Sequence, residues 1–315
     1  MTKTGDLKDM TAGTLFHSAP VAPGAGGVLL DVPRETAGWE TISFSVRRLP
    51  VNQTWRDHTR GEEVVLVVLG GRLSIDFGTG AKTIGQRENV FAGYPYAVYL
   101  PRGTAFEITA QTTCEFADGR VPSTADLKPQ IITPEQVVTE TRGGGNATRQ
   151  ILDIIRPEFP ADKLLVCEVY TPSGNWSSYP PHKHDVHNPP AEVDLDETYY
   201  YRIDKPEGYA LQRLYDQART YDQALTVRDG DLVLIRDGYH PFVSAHGFNA
   251  YYLNILAGSA RSMAASDDPQ YAYLRRSWPA PDPRVPVVGK RENNLKNSGL
   301  QSVAGPPNDA GRPKA

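Results

Sequence analysis

Residues 63–77 read Glu63-Val64-Val65-Leu66-Val67-Val68-Leu69-Gly70-Gly71-Arg72-Leu73-Ser74-Ile75-Asp76-Phe77. Valine and leucine fill a run that two glycines interrupt, and apolar-polar alternation resumes behind them. Glycine accepts the positive φ of a tight reversal, so the stretch predicts two strands joined as a hairpin. Outward from it, 41–46, 97–100 and 105–109 have strand character, the last two parted by the turn Pro101-Arg102-Gly103. A second region repeats the habit at 164–171, 197–203, 209–215, 232–235 and 250–256. Short strands at close intervals predict an all-β protein of two sandwich or barrel units. We place these at 13–130 and 131–278, joined through Pro129, Pro134 and Gly143-Gly144-Gly145. At the join, Thr133-Pro134-Glu135-Gln136 fits a capped helix start, while the valines behind it fit an extended segment equally well. Residues 267–276 predict a short helix.

Composition supports this and excludes other classes. Gly and Pro number 28 and 26 among 315 residues, which suits many turns rather than a helical bundle. With 33 Lys plus Arg against 37 Asp plus Glu, the net charge of −4 is too weak to make nucleic acid or an anionic membrane the main partner. The two cysteines, Cys114 and Cys167, are far apart in apolar stretches, so neither a disulfide framework nor a cysteine zinc site is expected. The first residues carry no apolar signal segment, and no apolar run approaches the roughly 18 residues of a membrane span; a cytoplasmic protein is expected. Residues 279–315 hold seven prolines, four glycines, no aromatic and a charge of +3. Such a segment buries too little apolar area to offset its ordering entropy, and a disordered tail is expected.

Chemistry concentrates in the histidines. Five of the seven lie within 182–246. His182-Lys183-His184 sets two imidazoles at i and i+2, on one face of an extended strand. Flanked by Pro180-Pro181 and Asn188-Pro189-Pro190, the same pair also reads as solvated loop residues. Glu197 opens the next strand and His240 follows the turn at Gly238. Imidazole with carboxylate suits one divalent ion of borderline character, Zn, Mn, Fe or Ni. Glu192 and His246 are rival ligands to Glu197 and His240. The first region has His58 and Glu62 but no His-x-His pair, and no metal is expected there.

These residues carry a resemblance. Pro181-His182-Lys183-His184, Glu197-Thr198-Tyr199-Tyr200-Tyr201 and Gly208 resemble the first cupin motif; Gly230-Asp231-Leu232-Val233-Leu234-Ile235 with Gly238-Tyr239-His240 resembles the second. The longer runs Ser178-Tyr179-Pro180-Pro181-His182-Lys183-His184-Asp185, Asp229-Gly230-Asp231, Gly238-Tyr239-His240-Pro241 and Tyr251-Tyr252-Leu253-Asn254 resemble the 5-deoxy-glucuronate isomerase family of inositol catabolism, over about residues 13–277. One departure is that Glu197 stands thirteen residues after His184, further than the usual cupin spacing.

The resemblance implies a bicupin with a metal-free first barrel and one divalent ion in the second, held by His182, His184, Glu197 and His240. It implies aldose–ketose isomerisation of 5-deoxy-D-glucuronate to 5-dehydro-2-deoxy-D-gluconate. Glu197, Tyr199 and Tyr252, with Tyr201 behind them, are the acid–base candidates. A small-molecule sugar acid needs a guanidinium for its carboxylate. Arg213, a charged residue inside a strand, is the first choice, with Lys183 and Arg202 as alternatives, although Lys183 should point away from the metal side. Exposed sheet edges leave a homodimer open. Two other readings share these residues: a cupin Fe(II) dioxygenase, and a non-catalytic sugar-acid-binding bicupin.

Overall fold

The computed structural model describes residues 14–19 and 27–290. Strands Glu62–Gly70 and Leu73–Asp76, which the sequence predicts as a hairpin, do not pair with each other. The first runs through a six-stranded sheet and the second belongs to a four-stranded one. Gly70 and Gly71 instead carry the chain round a crowded corner between the two sheets. A Cβ on Gly71, at φ +85°, would lie 2.4 Å from Thr113 O, and one on Gly70 2.5 Å from Glu88 O.

The six-stranded sheet runs Gln130–Ile132, Ala97–Leu100, Glu62–Gly70, Cys114–Pro122, Ser43–Leu49, Val28–Val32. Thr54–His58, Ala105–Ala110, Leu73–Asp76 and Lys82–Ile84 form the smaller sheet that closes the first barrel. The second half repeats this plan. Its large sheet runs Leu15–His17, Asp231–Ile235, Leu195–Ile203, Ala250–Gly258, Leu165–Thr171, Arg149–Ile155, Val138–Arg142, and its small sheet Trp176–Ser177, Phe242–Ser244, Ala210–Tyr215, Asp222–Val227. The fold is therefore the all-β bicupin expected. One exchange complicates the division into halves: Leu15–His17, ahead of the first barrel, completes the second barrel's large sheet against Asp231–Ile235.

The two large sheets pack face to face, which explains why 63–69 is apolar at every position after Glu63 instead of alternating. Val64, Leu66 and Val68 fill the first barrel with Phe106, Ile108 and Phe116. Val65 and Val67 turn outward, joining Phe44 and Ala117 against Tyr200, Tyr251, Leu253 and Ile255 of the second half. Gly119 makes room for that contact, since a Cβ there would lie 2.2 Å from Ile255 Cδ1. Polar ties cross the same interface. Arg87 donates to Glu168 at 2.6 and 3.0 Å with both side chains buried, while Tyr251 Oη, from Glu168's own sheet, supports the carboxylate at 2.9 Å. Glu63 accepts from the backbone of Asp162, Lys163 and Leu164 at 2.6–2.8 Å and from Tyr99 Oη at 2.8 Å. A buried carboxylate with that many donors is satisfied in place.

One open reading is decided and two need correction. Thr133–Gln136 is a single turn, closed by Gln136 N on Thr133 O at 3.0 Å, and the valine stretch behind it is the strand Val138–Arg142. The predicted helix at 267–276 shrinks to a 3₁₀ turn, Ala272–Arg276. The stretch from Pro279 does not leave the body at once: Gln150 exchanges hydrogen bonds with Val288 at 2.8 and 3.0 Å, and Asn175 Nδ2 donates to Asp282 at 3.1 Å. Buried amides facing an extended backbone hold residues that apolar content alone would not. The rest of that predicted tail, 291–315, lies outside the described residues. Among the described residues, no helix is long and apolar enough to cross a membrane.

Candidate metal centre

The interior of the second barrel is lined by alternate residues of its central strands. Tyr199, Tyr201, Val233, Ile235 and Tyr252 face inward, and the same alternation turns Glu197 inward. His182 sits on a two-residue ribbon, His182–Lys183, paired with Ser266–Asp267. His184 follows on the same side by the i, i+2 rule. His240 arrives from the turn at Gly238, where φ is +75° and a Cβ would lie 2.3 Å from Tyr221 Oη, so glycine sets the angle at which His240 enters.

His184, Glu197 and His240 converge, with donor atoms all within 4.8 Å of one another and every residue buried. His184 Nε2 lies 3.0 Å and His240 Nε2 3.5 Å from the same oxygen, Glu197 Oε2. His182 stands at the margin, its ring centroid 4.7 Å from that of His240 and 6.3 Å from that of His184. Each imidazole has its Nδ1 on a backbone carbonyl: His182 on Pro180 O (3.3 Å), His184 on Leu195 O (2.9 Å), His240 on Gly238 O (3.1 Å). A carbonyl only accepts, so Nδ1 carries the proton and Nε2 keeps its lone pair. That is how outer partners orient metal-binding histidines.

The fit to a divalent ion rests on one atom in particular. His240 Nε2 is buried and has no hydrogen-bond partner, and an orphaned buried lone pair beside a buried carboxylate is costly unless a cation answers it. Electrostatics keep two of the imidazoles, His182 and His240, ready as ligands. Burial, then the charges of His182 and His184, holds His240 well below the usual imidazole value, and burial followed by His184 brings His182 down to about 3. Burial pushes Glu197 up, against the opposing pull of His184. Burial disfavours a charged His184, but its hydrogen bond to Glu197 prevails and raises it. Borderline nitrogen donors with one carboxylate suit Zn, Mn, Fe or Ni.

The other named residues fall into place around this cluster. Tyr199 Oη and Ser178 Oγ are 2.8 Å apart, Tyr252 Oη donates to Ser177 Oγ at 2.9 Å, and the two phenol rings lie 4.7 Å apart. Glu192 is not beside the cluster: its Oε1 accepts from Lys183 Nζ at 2.8 Å and from the backbone of Asp185 and Val186, closing the long loop between His184 and Glu197. Lys183 is spent on Glu192 and Asp185 and points away. Asp185 Oδ2 also accepts from Gly238 N at 2.8 Å, tying the loop to the turn that carries His240. His246 is exposed.

Arg213 corrects the sequence reading. It lies on the outer side of its strand, in an ion pair with Asp222 at 2.6 Å. Its neighbour Gln212 is the inward residue, donating to His240 O at 2.6 Å and accepting from Tyr201 Oη at 2.7 Å. Alternation along Ala210-Leu211-Gln212-Arg213 was the signal, since adjacent residues cannot both face in. Arg202 is likewise committed elsewhere, to Glu115 and Asp229. Sequence reasoning missed Arg142, Arg149 and Arg275, which line a cleft of about 250 Å³ together with His182, His184 and Glu197.

Comparison with known proteins bears on this arrangement. A family model described as KduI/IolB matches residues 16–274. The chain is 41% identical over 258 residues to a 5-deoxy-glucuronate isomerase of Geobacillus thermodenitrificans, covering 81% of this chain and 94% of the relative. It is 37% identical to that of Bacillus subtilis strain 168, covering 74% and 87%. An IolB-like protein from Salmonella typhimurium superposes with a TM-score of 0.80 at 34% identity, covering 83% of this chain and 98% of that one. A Lactobacillus farciminis oxalate decarboxylase superposes at 0.58 with 10% identity over 84% of this chain and 90% of that one, a likeness of fold.

Proposed function

Because the chain belongs to the KduI/IolB family, we propose that it acts as a 5-deoxy-D-glucuronate isomerase, forming 5-dehydro-2-deoxy-D-gluconate with a divalent ion held by His182, His184, Glu197 and His240. The observation that carries this reading is the convergence of His184, Glu197 and His240 in one barrel of a chain so similar to named isomerases. Aldose–ketose isomerisation moves one hydrogen from C2 to C1 and one proton from O2 to O1, leaving the carbonyl at C2. A bound divalent ion supplies a Lewis acid for the carbonyl and hydroxyl oxygens.

The protein's own groups divide the proton work. Glu197 contributes the carboxylate among the residues that line the cleft; it takes the proton from C2 and returns it to C1. Tyr199 and Tyr252 have phenols raised by burial, Tyr252 to about 12. Both therefore stay protonated at neutral pH and, with their hydroxyls on Ser178 and Ser177, brace the wall beside His240 rather than act as bases. Gln212 and Asp185 hold the backbone on either side of His240 and so fix its approach.

The test is to load the purified protein with Zn, Mn, Fe or Ni in turn, add 5-deoxy-D-glucuronate and follow the ketone by NMR in an oxygen-monitored cell. Conversion without oxygen uptake is expected. Glu197→Gln should reduce it at least ~100-fold, because loss of a ligand exceeds the 10–100-fold typical of outer partners. Absence of conversion by protein with measured metal occupancy removes the isomerase reading; oxygen consumption favours a dioxygenase.

A further inference from the structure

The cleft beside the histidines has a second wall of opposite character, made by Arg142, Arg149 and Arg275. Two of the three already have acids. Arg142 pairs with Glu140 at 2.8 Å, and Arg275 Nη2 with Asp267 Oδ1 at 2.6 Å. Arg149 differs. It is 6% exposed, and its Nη1 donates to two neutral groups, Ala147 O at 3.2 Å and Tyr179 O at 3.0 Å. Among the described residues no carboxylate pairs with it.

Its surroundings sharpen the anomaly. Arg142 is its cross-strand partner in the register, and like charges directly opposite destabilise a sheet. Burial, with the charges of Arg142 and Arg275, lowers Arg149 to about 10, so it keeps its charge at neutral pH. That charge reaches the metal side, where it is among the influences holding His182 neutral. Gly143 preserves the space: a Cβ there would lie 3.0 Å from Arg149 Nη1. A buried guanidinium with no acid partner, opening on a cleft that ends at a ligand cluster, is arranged for an anion from outside the chain.

We propose that Arg149, with Arg142 beside it, receives the carboxylate of the sugar acid and so directs its aldehyde end toward His184 and Glu197. The inference rests on the isomerase reading for the identity of the substrate, while the charge requirement stands on the cleft itself. A guanidinium grips a carboxylate through two parallel hydrogen bonds, which a lysine at the same place cannot copy.

The experiment compares wild type, Arg149→Met and Arg149→Lys, each with measured metal content and melting temperature. Steady-state kinetics on 5-deoxy-D-glucuronate are read alongside calorimetric binding of D-glucuronate and its uncharged counterpart D-glucose. Arg149→Met should raise KM about 10- to 100-fold, the range for hydrogen bonds to a charged group, with a smaller fall in kcat and full metal occupancy. It should also abolish the preference for D-glucuronate over D-glucose, and Arg149→Lys should restore part of that preference. A purely structural Arg149 would weaken both sugars alike. A metal-loaded variant that still prefers the acid, or that loses both ligands equally, overturns the proposal. Should wild type fail to isomerise, the isomerase reading falls, and the binding comparison still decides the role of Arg149. If Arg149→Met does not fold, Arg149→Lys alone carries the test: unchanged discrimination there refutes the two-bond grip.

Discussion

In the second barrel Glu197 pairs in register with Ile235, and His240 follows Gly238 by two residues. In the first, Val64 pairs with Leu100, and Ala105 follows Gly103 by two. The same strand plan thus meets a cluster of potential ligands in one half and, at the matched positions of the other, apolar residues. Where Leu256 lies beside Glu197, Arg120 lies beside Val64. Arg120 bonds Asp118 and Asp57, each at 2.7 Å, so the first barrel answers its inward carboxylates with a cation of its own. The second barrel surrounds Glu197 with imidazoles that burial holds toward neutrality. The lesson is that the backbone does not dictate a metal centre; a few inward positions do, and they can be exchanged for a self-neutralised core.

Alkaline pH should separate the barrels most. Tyr199, Tyr201 and Tyr252 fill the second interior, and burial raises all three. Their support is complete below pH 10 and withdrawn above it, because the unfolded phenol then ionises while the folded one does not. Each contributes about 1 kcal/mol over the first pH unit above the free phenol value, so between pH 10 and 11 the second barrel should lose about 3 kcal/mol. Each interior also holds one buried cysteine, which therefore does not distinguish them. Fluorescence of Trp176 should change at lower pH than that of Trp55 in single-tryptophan variants; coincident changes would mean the barrels melt as one.

Next in size is an exchange of residue types between matched positions. Val64→Glu buries a carboxylate beside an Arg120 that Asp118 and Asp57 already occupy, and should cost about 3–5 kcal/mol in urea unfolding. Glu197→Val in metal-stripped protein should cost less, because it removes a buried ionisable group and the His184 it leaves behind can stay neutral. Equal losses at both positions would undo the contrast. The smallest effect should come from Arg213→Ala. Its pair with Asp222 is partly exposed, so stability should fall by less than about 1 kcal/mol and kcat/KM should not change. A large rise in KM would return Arg213 to the substrate.

Much of the site was legible because its rules are local. His182 and His184 share a side by strand period, and glycine at 238 announces the turn that brings His240 in. The strand Cys114–Pro122 was not among those the sequence announced, and its Gly119 is there to admit Ile255 from the other barrel. Arg149 was equally silent, since an arginine at the start of an apolar strand carries no mark of which cleft it will face.

The amino-acid order alone set the strands, their turns, the donor types and the family resemblance, all of which depend on period and φ within a few residues. Only the folded molecule decided that 62–70 and 73–76 part company at their glycines, that Leu15–His17 serves the distant barrel, and that Arg149 rather than Arg213 meets the cleft. Those outcomes follow from which faces find apolar or charged partners across long stretches of chain, and no local period encodes that.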